Sequence, residues 1–301
     1  MMSERRLYYY GLGAGLSYRS LDSVANAFAV ARYAGEIGRR RALARELLAD
    51  SRWADFISKK TSFARIAPDT LPGTSEVLPI IRDIIKERRV TGWHKSRVNP
   101  VDHLELPEHF RDNPKLLQFA LSDTMLQIFT GYYGMVPQLK EIGIWVSPPR
   151  EELGNSQLYH LDKPESKIVG LFLNVEDNGV EQGPFTFVPA DESEKVRKAT
   201  RYEARYFRGE GYLTDDDVFK HARRDRQVTA EGPPGTGVIV DTSTCFHFGS
   251  RVLSGERIML MVKFMLPHRA RKRRTPLFDL TPRPRDELRQ LALVGTEFAD
   301  S

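Results

Sequence analysis

The chain has 301 residues, 41% of them hydrophobic and 28% charged. That is enough apolar material for one large domain, or for a domain with a helical extension. The 45 basic and 40 acidic residues leave a formal charge of +5, which permits an anionic ligand but argues against a nucleic-acid partner as the organising function. Cys245 is the only cysteine, so no internal disulfide can form. No apolar run reaches the roughly 18 residues of a membrane-spanning helix. No apolar stretch follows Met1 to Arg6 as a secretory leader would require. The expectation is a cytoplasmic protein.

In chain order, Tyr8 to Gly15 is glycine-rich. No strand precedes it, so we read an entry loop and not a dinucleotide fingerprint. From Asp22 to about Leu48, Val24, Ala27, Phe28, Ala31, Ala34 and Ile37 recur at helical spacing. This predicts one long helix, or two broken near Gly35 or Gly38, with Asp22 as N-cap. Arg39-Arg40-Arg41 reads as its solvated face. Trp53 to Phe63 continues the helical region, Pro68 to Gly73 is a turn, and Ser75 to Glu87 is a further helix. His94 and His103 follow in a stretch without clear period, and neither has a partner at metal-ligand spacing. Asn113 and Pro114 then open a helix whose buried stripe is Leu116, Leu117, Ala120, Leu121, Met125 and Ile128.

After Gly134 the period changes to that of strands. We expect strands at 142–146, around His160, at 168–175, at 183–189, at 237–241 and at 257–266. Between Ala190 and Pro234 lies a charged insertion with helical pieces. Its ten basic and ten acidic residues balance, so it implies no anionic substrate. Gly232 to Gly237 is a tight turn. The run from His268 to Arg274 is strongly basic and reads as a solvated tail, or one that touches an anionic surface. Helices first and strands later predict a mainly β fold with α, a double-sheet jelly roll carrying N-terminal helices. We divide it into a helical extension over 1–112, a core over 113–267 holding the insertion 190–234, and a basic tail over 268–301. The oligomeric state is not encoded in any feature of the sequence.

The stretch that carries chemistry is His160-Leu161-Asp162. On an extended strand, residues two apart point to the same face. One strand end can therefore present an imidazole and a carboxylate to one metal ion. His-x-Asp alone occurs often by chance. A second histidine, His247, follows the run Val240 to Phe246, and Arg257 opens the apolar run Ile258 to Val262. Two histidines and one carboxylate make a facial triad that leaves open positions and suits non-haem Fe(II) oxygenases. His221 is a rival for the second histidine, but its surroundings are helical and charged. Arg257 would enter the interior as a guanidinium, which is costly without a counter-ion. Glu256 adjoins it and points to the opposite face.

These residues, with Asn178 to Pro189 between them, resemble the phytanoyl-CoA dioxygenase-like branch of the Fe(II)/2-oxoglutarate-dependent oxygenases. The resemblance covers roughly residues 113 to 266. It implies a cupin-like double-stranded β-helix. It also implies Fe(II) held by His160, Asp162 and His247, with 2-oxoglutarate and O2 as cosubstrates. Arg257 would bind the distal carboxylate of 2-oxoglutarate, and Gln157 would line the same pocket. The implied reaction is hydroxylation, or another C–H oxidation, of a small-molecule, natural-product or lipid-like substrate. Arg201, Arg205, Tyr206 and Arg208 are candidates for its walls. Halogenases of this kind carry a small residue where Asp162 stands, so hydroxylation is the expected outcome. Two departures are visible. Ala190-Asp191-Glu192 replaces the family's Gly-Ser-His, and Arg251 stands near where an asparagine follows the distal histidine. The competing reading is a non-catalytic jelly-roll module that binds a phosphorylated glycan, lipid or nucleic acid.

Overall fold

Strand alternation decides which side of this protein is core and which is site. The computed structural model describes residues 4–91, 102–104, 113–149, 153–162, 167–269 and 286–293. The chain begins with three helices, α1 (Glu4–Gly13), α2 (Tyr18–Arg32) and α3 (Ala34–Leu48). It continues through β1 (Phe63–Ile66), α4 (Thr74–Thr91), β2 (Asp102–Leu104), α5 (Pro114–Ala120) and α6 (Asp123–Tyr133). Then come β3 (Gln138–Ser147), β4 (Ile168–Asn174), β5 (Thr186–Phe187), α7 (Ala190–Thr200), α8 (Tyr202–Arg208) and α9 (Asp215–Phe219). The last elements are β6 (Val228–Thr229), β7 (Gly237–Asp241), β8 (His247–Phe248), β9 (Arg257–Met265) and α10 (Glu287–Leu293). No helix among the described residues is long and apolar enough to cross a membrane.

The strands form two antiparallel sheets. One has six strands in the order β1-β7-β4-β9-β3-β2, the other three in the order β6-β5-β8. Helices with two antiparallel sheets agree with the expected fold class at that level. The large sheet borrows its edge strands β1 and β2 from the first 112 residues. Its outer face carries Leu139, Ile142, Ile144, Val169, Leu171, Ile239, Leu260, Val262 and Phe264, all packed against α4, α5, α6 and α10. The alternate residues Phe172, Val238, Val240, Met259 and Met261 point the other way, toward Phe185, Phe187 and Val228 of the small-sheet side. The outer side of the small sheet packs Tyr159, Phe246 and Phe248 on the helices of the insertion through Val196, Tyr202 and Val218.

Several expectations are corrected at the level of caps and turns. The segment Tyr8 to Gly13 is helical. Helix α2 starts at Tyr18 because Ser17 caps it, its Oγ accepting from Ser20 N at 3.1 Å. Asp22 is instead a counter-ion, taking Arg269 Nη1 and the Tyr8 hydroxyl at 2.8 Å each. The break between α2 and α3 falls at Tyr33, ahead of both glycines. Trp53 to Ser62 forms turns, and Phe63 belongs to β1. The helix opened by Asn113 is two helices, because Ser122 caps a second start and accepts from Met125 N. His268 and Arg269, expected on a solvated tail, are buried against α2, with His268 Nε2 2.9 Å from Asn26 Oδ1. Residues 270–274 of the basic run, and His94, lie outside the described residues.

The outer face of the large sheet is where the fold's stability concentrates. Phe129 of α6 is fully buried, and its ring centroid lies 4.4 Å from that of Phe264 on β9. Phe129→Ala should cost about 3–5 kcal/mol, the range for deleting a buried aromatic. A urea-midpoint measurement that finds no loss would show that this helix does not brace the site strand.

Candidate metal centre

The centre begins as a backbone pair. His160 N donates to His247 O at 3.0 Å and His247 N donates to His160 O at 3.1 Å. Two residues that exchange both bonds stand directly opposite each other, so their side chains share one face. The imidazole centroids are accordingly 4.4 Å apart. Asp162 follows two residues after His160, and its own backbone is tied down by two contacts. Asp162 N donates to Thr242 O at 2.8 Å, and Ser243 Oγ donates to Asp162 O at 3.0 Å. The intervening Leu161 points away, its N accepted by the Tyr202 hydroxyl at 2.9 Å. The link to His247 is also anchored, since Thr244 N and Cys245 N both donate to Asp241 O.

Each imidazole is set by the carbonyl two residues before it. His160 Nδ1 lies 2.9 Å from Leu158 O, and His247 Nδ1 lies 3.0 Å from Cys245 O. A carbonyl can only accept, so Nδ1 carries the proton and Nε2 keeps its lone pair. Both Nε2 atoms face Asp162 Oδ1 at 3.9 Å. Ligand atoms of the three residues lie within 4.8 Å of one another, a group that can hold a metal ion. Burial, then the neighbouring His160, pushes the His247 pKa down to about 3, so it is neutral and ready to ligate at ordinary pH. Burial pushes the Asp162 carboxyl up. Lys263 first, then His247, His160 and Lys140, together outweigh that and hold it well below the usual carboxylate range.

The three residues open onto a cavity lined by Trp145, Phe172, Phe185, Met259, Met261 and Lys263, and floored by Ser156, Gly249 and Arg257. Arg257 is 2% exposed. Its Nη1 donates to Gly183 O at 3.2 Å and its Nη2 to Ser147 Oγ at 3.3 Å. Its Nε and the Ser156 hydroxyl have no hydrogen-bond partner among the described residues. Burial alone lowers the Arg257 pKa to about 9, so no carboxylate among the described residues offsets its charge. Two glycines make room for it. A Cβ on Gly249 would come within 3.2 Å of both terminal guanidinium nitrogens. Gly183 has φ +63, and a Cβ there would meet Arg251 C at 2.5 Å, so only glycine presents its carbonyl to Arg257 in this way.

Other candidates fall elsewhere. Gln157 is buried in a short 3-10 turn. Its amide is satisfied by the backbone, accepting from Gly154 N and donating to Ser250 O at 2.6 Å each, and it is absent from the cavity lining. His221 is exposed at the end of the α9 segment and is not part of the metal-holding group. Arg201, Arg205, Tyr206 and Arg208 do not line the cavity. The two departures from the family pattern have structural roles. Ala190 to Glu192 opens α7, with Glu192 accepting from Arg223 N at 3.0 Å. Arg251 clasps Asp215 through both terminal nitrogens at 2.9 and 2.7 Å and stacks on Phe248. The residue that sequence reasoning missed is Lys263. Counting by twos from Arg257 through Met259 and Met261 places it on the cavity face, and that arithmetic was available.

No protein-family model and no curated protein sequence matches this chain. Solved structures do show likeness. The chain is 16% identical to HygX from Streptomyces hygroscopicus, described with nickel and 2-oxoglutarate bound, covering 72% of this chain and 87% of that one at a TM-score of 0.49. It is 12% identical to EctD from S. alaskensis with bound Fe, over 78% and 82% at 0.49. It is 15% identical to the non-heme alpha ketoglutarate dependent epimerase SnoN from nogalamycin biosynthesis, over 75% and 82% at 0.45. Likenesses this distant carry nothing about the chemistry of the present chain; its own atoms do.

The buried neutral imidazole of His247 gives the apo-protein an acid-labile centre. The unfolded chain takes up that proton near the ordinary histidine pKa of about 6.5, whereas the folded chain refuses it until about pH 3. Stability should therefore fall as pH is lowered from about 6.5 toward 3, and Asp162, also held low, adds in the same direction. Urea midpoints across that window should drop more steeply for the wild type than for His247→Gln. Parallel curves would mean that His247 is protonated in the folded state.

Proposed function

We propose that this chain is an Fe(II)/2-oxoglutarate-dependent dioxygenase of the phytanoyl-CoA dioxygenase-like kind. It hydroxylates, or otherwise oxidises a C–H bond of, a small molecule, with release of succinate and CO2. One observation carries the reading: a buried guanidinium without an acidic partner among the described residues shares a cavity with a His-Asp-His ligand group. The ligand group alone would suit several metals. A buried cation that lacks a counter-ion asks for an anion in the same cavity, and a dicarboxylate that also chelates a metal answers both needs.

The residues present fit the cofactors. His160, Asp162 and His247 would hold the iron, through two imidazole lone pairs already facing the cavity and one ionised carboxylate. When bound, iron with 2-oxoglutarate and O2 supplies the oxidising chemistry. Arg257 would grip the distal carboxylate of 2-oxoglutarate with its planar fork, a task for which lysine is a poor substitute. Ser147 and Gly183 hold that fork in place, and Gly249 leaves space in front of it. Phe172, Phe185, Met259 and Met261 line the cavity with apolar surface and keep water from the reacting centre.

Within this proposal the two sheets are the halves of a jelly roll, with the centre at its mouth. The helical extension over 1–112 and the insertion over 190–234 are its outer walls. Cys245, reduced and buried, suits a cytoplasmic setting. The substrate is a small molecule, and the ring of Tyr212 lies 5.6 Å from that of His160.

Arg257→Lys keeps the charge and loses the fork. A charge-assisted hydrogen bond of this kind contributes about 1.5–3 kcal/mol, so 2-oxoglutarate should bind about ten- to a hundredfold more weakly. Anaerobic titration into the Fe(II) protein, followed by the metal-to-ligand charge-transfer band, measures this. Equal affinity in both proteins would remove Arg257 from the cosubstrate site. A wild type that binds neither iron nor 2-oxoglutarate would leave the binding-module reading standing.

With Asp162 in place the expected product is hydroxylated or desaturated. An aerobic screen of candidate metabolites for succinate formation, run in chloride buffer, tests both parts. A chlorinated product would overturn the assignment of outcome.

A further inference from the structure

The cavity face of β9 holds a second cation. Lys263 lies six residues beyond Arg257 and is 6% exposed. Its ammonium is 3.1 Å from Asp162 Oδ2, and it sits 5.2 Å from the Trp145 ring and 5.8 Å from the Phe172 ring. The two oxygens of Asp162 thus have different tasks. Oδ1 faces both imidazole Nε2 atoms, and Oδ2 is taken by Lys263. A carboxylate that could otherwise swing about its Cβ–Cγ bond is fixed with one oxygen turned toward the ligand group. Register places this contact. Lys263 pairs with Gly170 on β4 and Glu141 on β3, directly beside the irregularity that leaves Lys140 unregistered in β3. Lys140, paired with Glu141 at 3.4 Å, adds positive charge on the same side.

The charge count at the ligand group follows. The Asp162 carboxylate, the one anion of the ligand group, is paired with the Lys263 ammonium. A divalent ion entering this group meets an ammonium close behind its one anionic ligand, and it adds two positive charges of its own. An anion that arrives at the same centre relieves both problems, because Lys263 attracts it while repelling the metal.

We propose that the Lys263 ammonium, held against Asp162 Oδ2, couples metal binding at this centre to the binding of an anionic ligand. The centre then holds a divalent metal firmly only in company with a dianionic 2-oxo acid. This rests on the metal-centre reading above and deepens it. A merely structural ion pair would brace Asp162 without setting any relation between the two ligands.

The coupling factor is the ratio of the Fe(II) dissociation constants measured without and with saturating 2-oxoglutarate, under anaerobic conditions. Lys263→Met keeps the length of the side chain and removes its charge. It should bind Fe(II) alone more tightly than the wild type does and lower the coupling factor about tenfold. Lys263→Arg keeps the charge and should stay within about threefold of the wild-type factor. Lys263→Gln retains a donor without charge and should behave as Lys263→Met, which covers the case in which the methionine variant folds poorly. Far-UV circular dichroism confirms that each variant is folded. A wild type that binds iron and 2-oxoglutarate, with a coupling factor that Lys263→Met and Lys263→Gln leave unchanged, would overturn this inference alone. A wild type that binds no divalent metal would overturn the metal-centre reading and this inference with it.

Discussion

Two backbone hydrogen bonds between His160 and His247 are what the candidate site depends on. They bring together residues 87 positions apart (247 minus 160), and the pairing puts both side chains on one face without any help from the imidazoles. Side chains then finish the job locally. Each ring is turned by the carbonyl two residues before it, so the protein needs no second carboxylate to fix the tautomers. The surrounding packing protects this pair. Phe185 lies against His247, and Phe172 stacks on Phe185 with centroids 3.9 Å apart. A site assembled from main-chain pairing tolerates variation in the text around it.

β9 shows why a strand can be half core and half site. Ile258, Leu260, Val262 and Phe264 sit in the helix-covered core, while Arg257, Met259, Met261 and Lys263 face the cavity. The two cations on that face solve the problem of burial differently. Lys263 has a carboxylate within 3.1 Å. Arg257 has two neutral acceptors and a nitrogen with no hydrogen-bond partner among the described residues. Burying an ion costs several kcal/mol unless its partners restore what water provided. Arg257 therefore carries a burial cost that its partners among the described residues do not fully restore.

Much of this was legible in the sequence, and the limit is physical. The ligand trio and Arg257 stand out because a histidine, a carboxylate and a guanidinium on β-periodic text contradict the burial that the text demands. The core strands at 168–174, 237–241 and 257–265 were readable for the same reason. Caps and breaks were not. Ser122 starts a helix that periodicity alone would have run into the one before it, since an apolar stripe continues across a two-residue interruption, and Ser17 starts α2 ahead of the expected cap at Asp22. β1 was hidden because Phe63–Ile66 is a four-residue edge strand with weak alternation. Gln157 looked like a pocket residue by distance along the chain, but its turn uses the amide for backbone hydrogen bonds. Lys263 was concealed by the methionines before it, which made the strand look uniformly apolar.

Several contacts join residues 190–234 to the site. Arg251 reaches Asp215 at the start of α9, donates to Gln157 O at 2.8 Å, and lies 3.6 Å above the Phe248 ring. It ties the inserted helices, the turn before His160 and the strand that carries His247 into one unit. Tyr159, on the other side of His160, pairs its backbone with Leu213 of the insertion and accepts from Gln227 Nε2 at 2.7 Å. Both histidines are thus braced from the insertion side, and Asp162 is braced from the β7 side through Thr242 and Ser243. Residues 190–234 are therefore part of the scaffold that holds His160, Asp162 and His247 together. Tyr212 of the same segment brings its ring to 5.6 Å from that of His160.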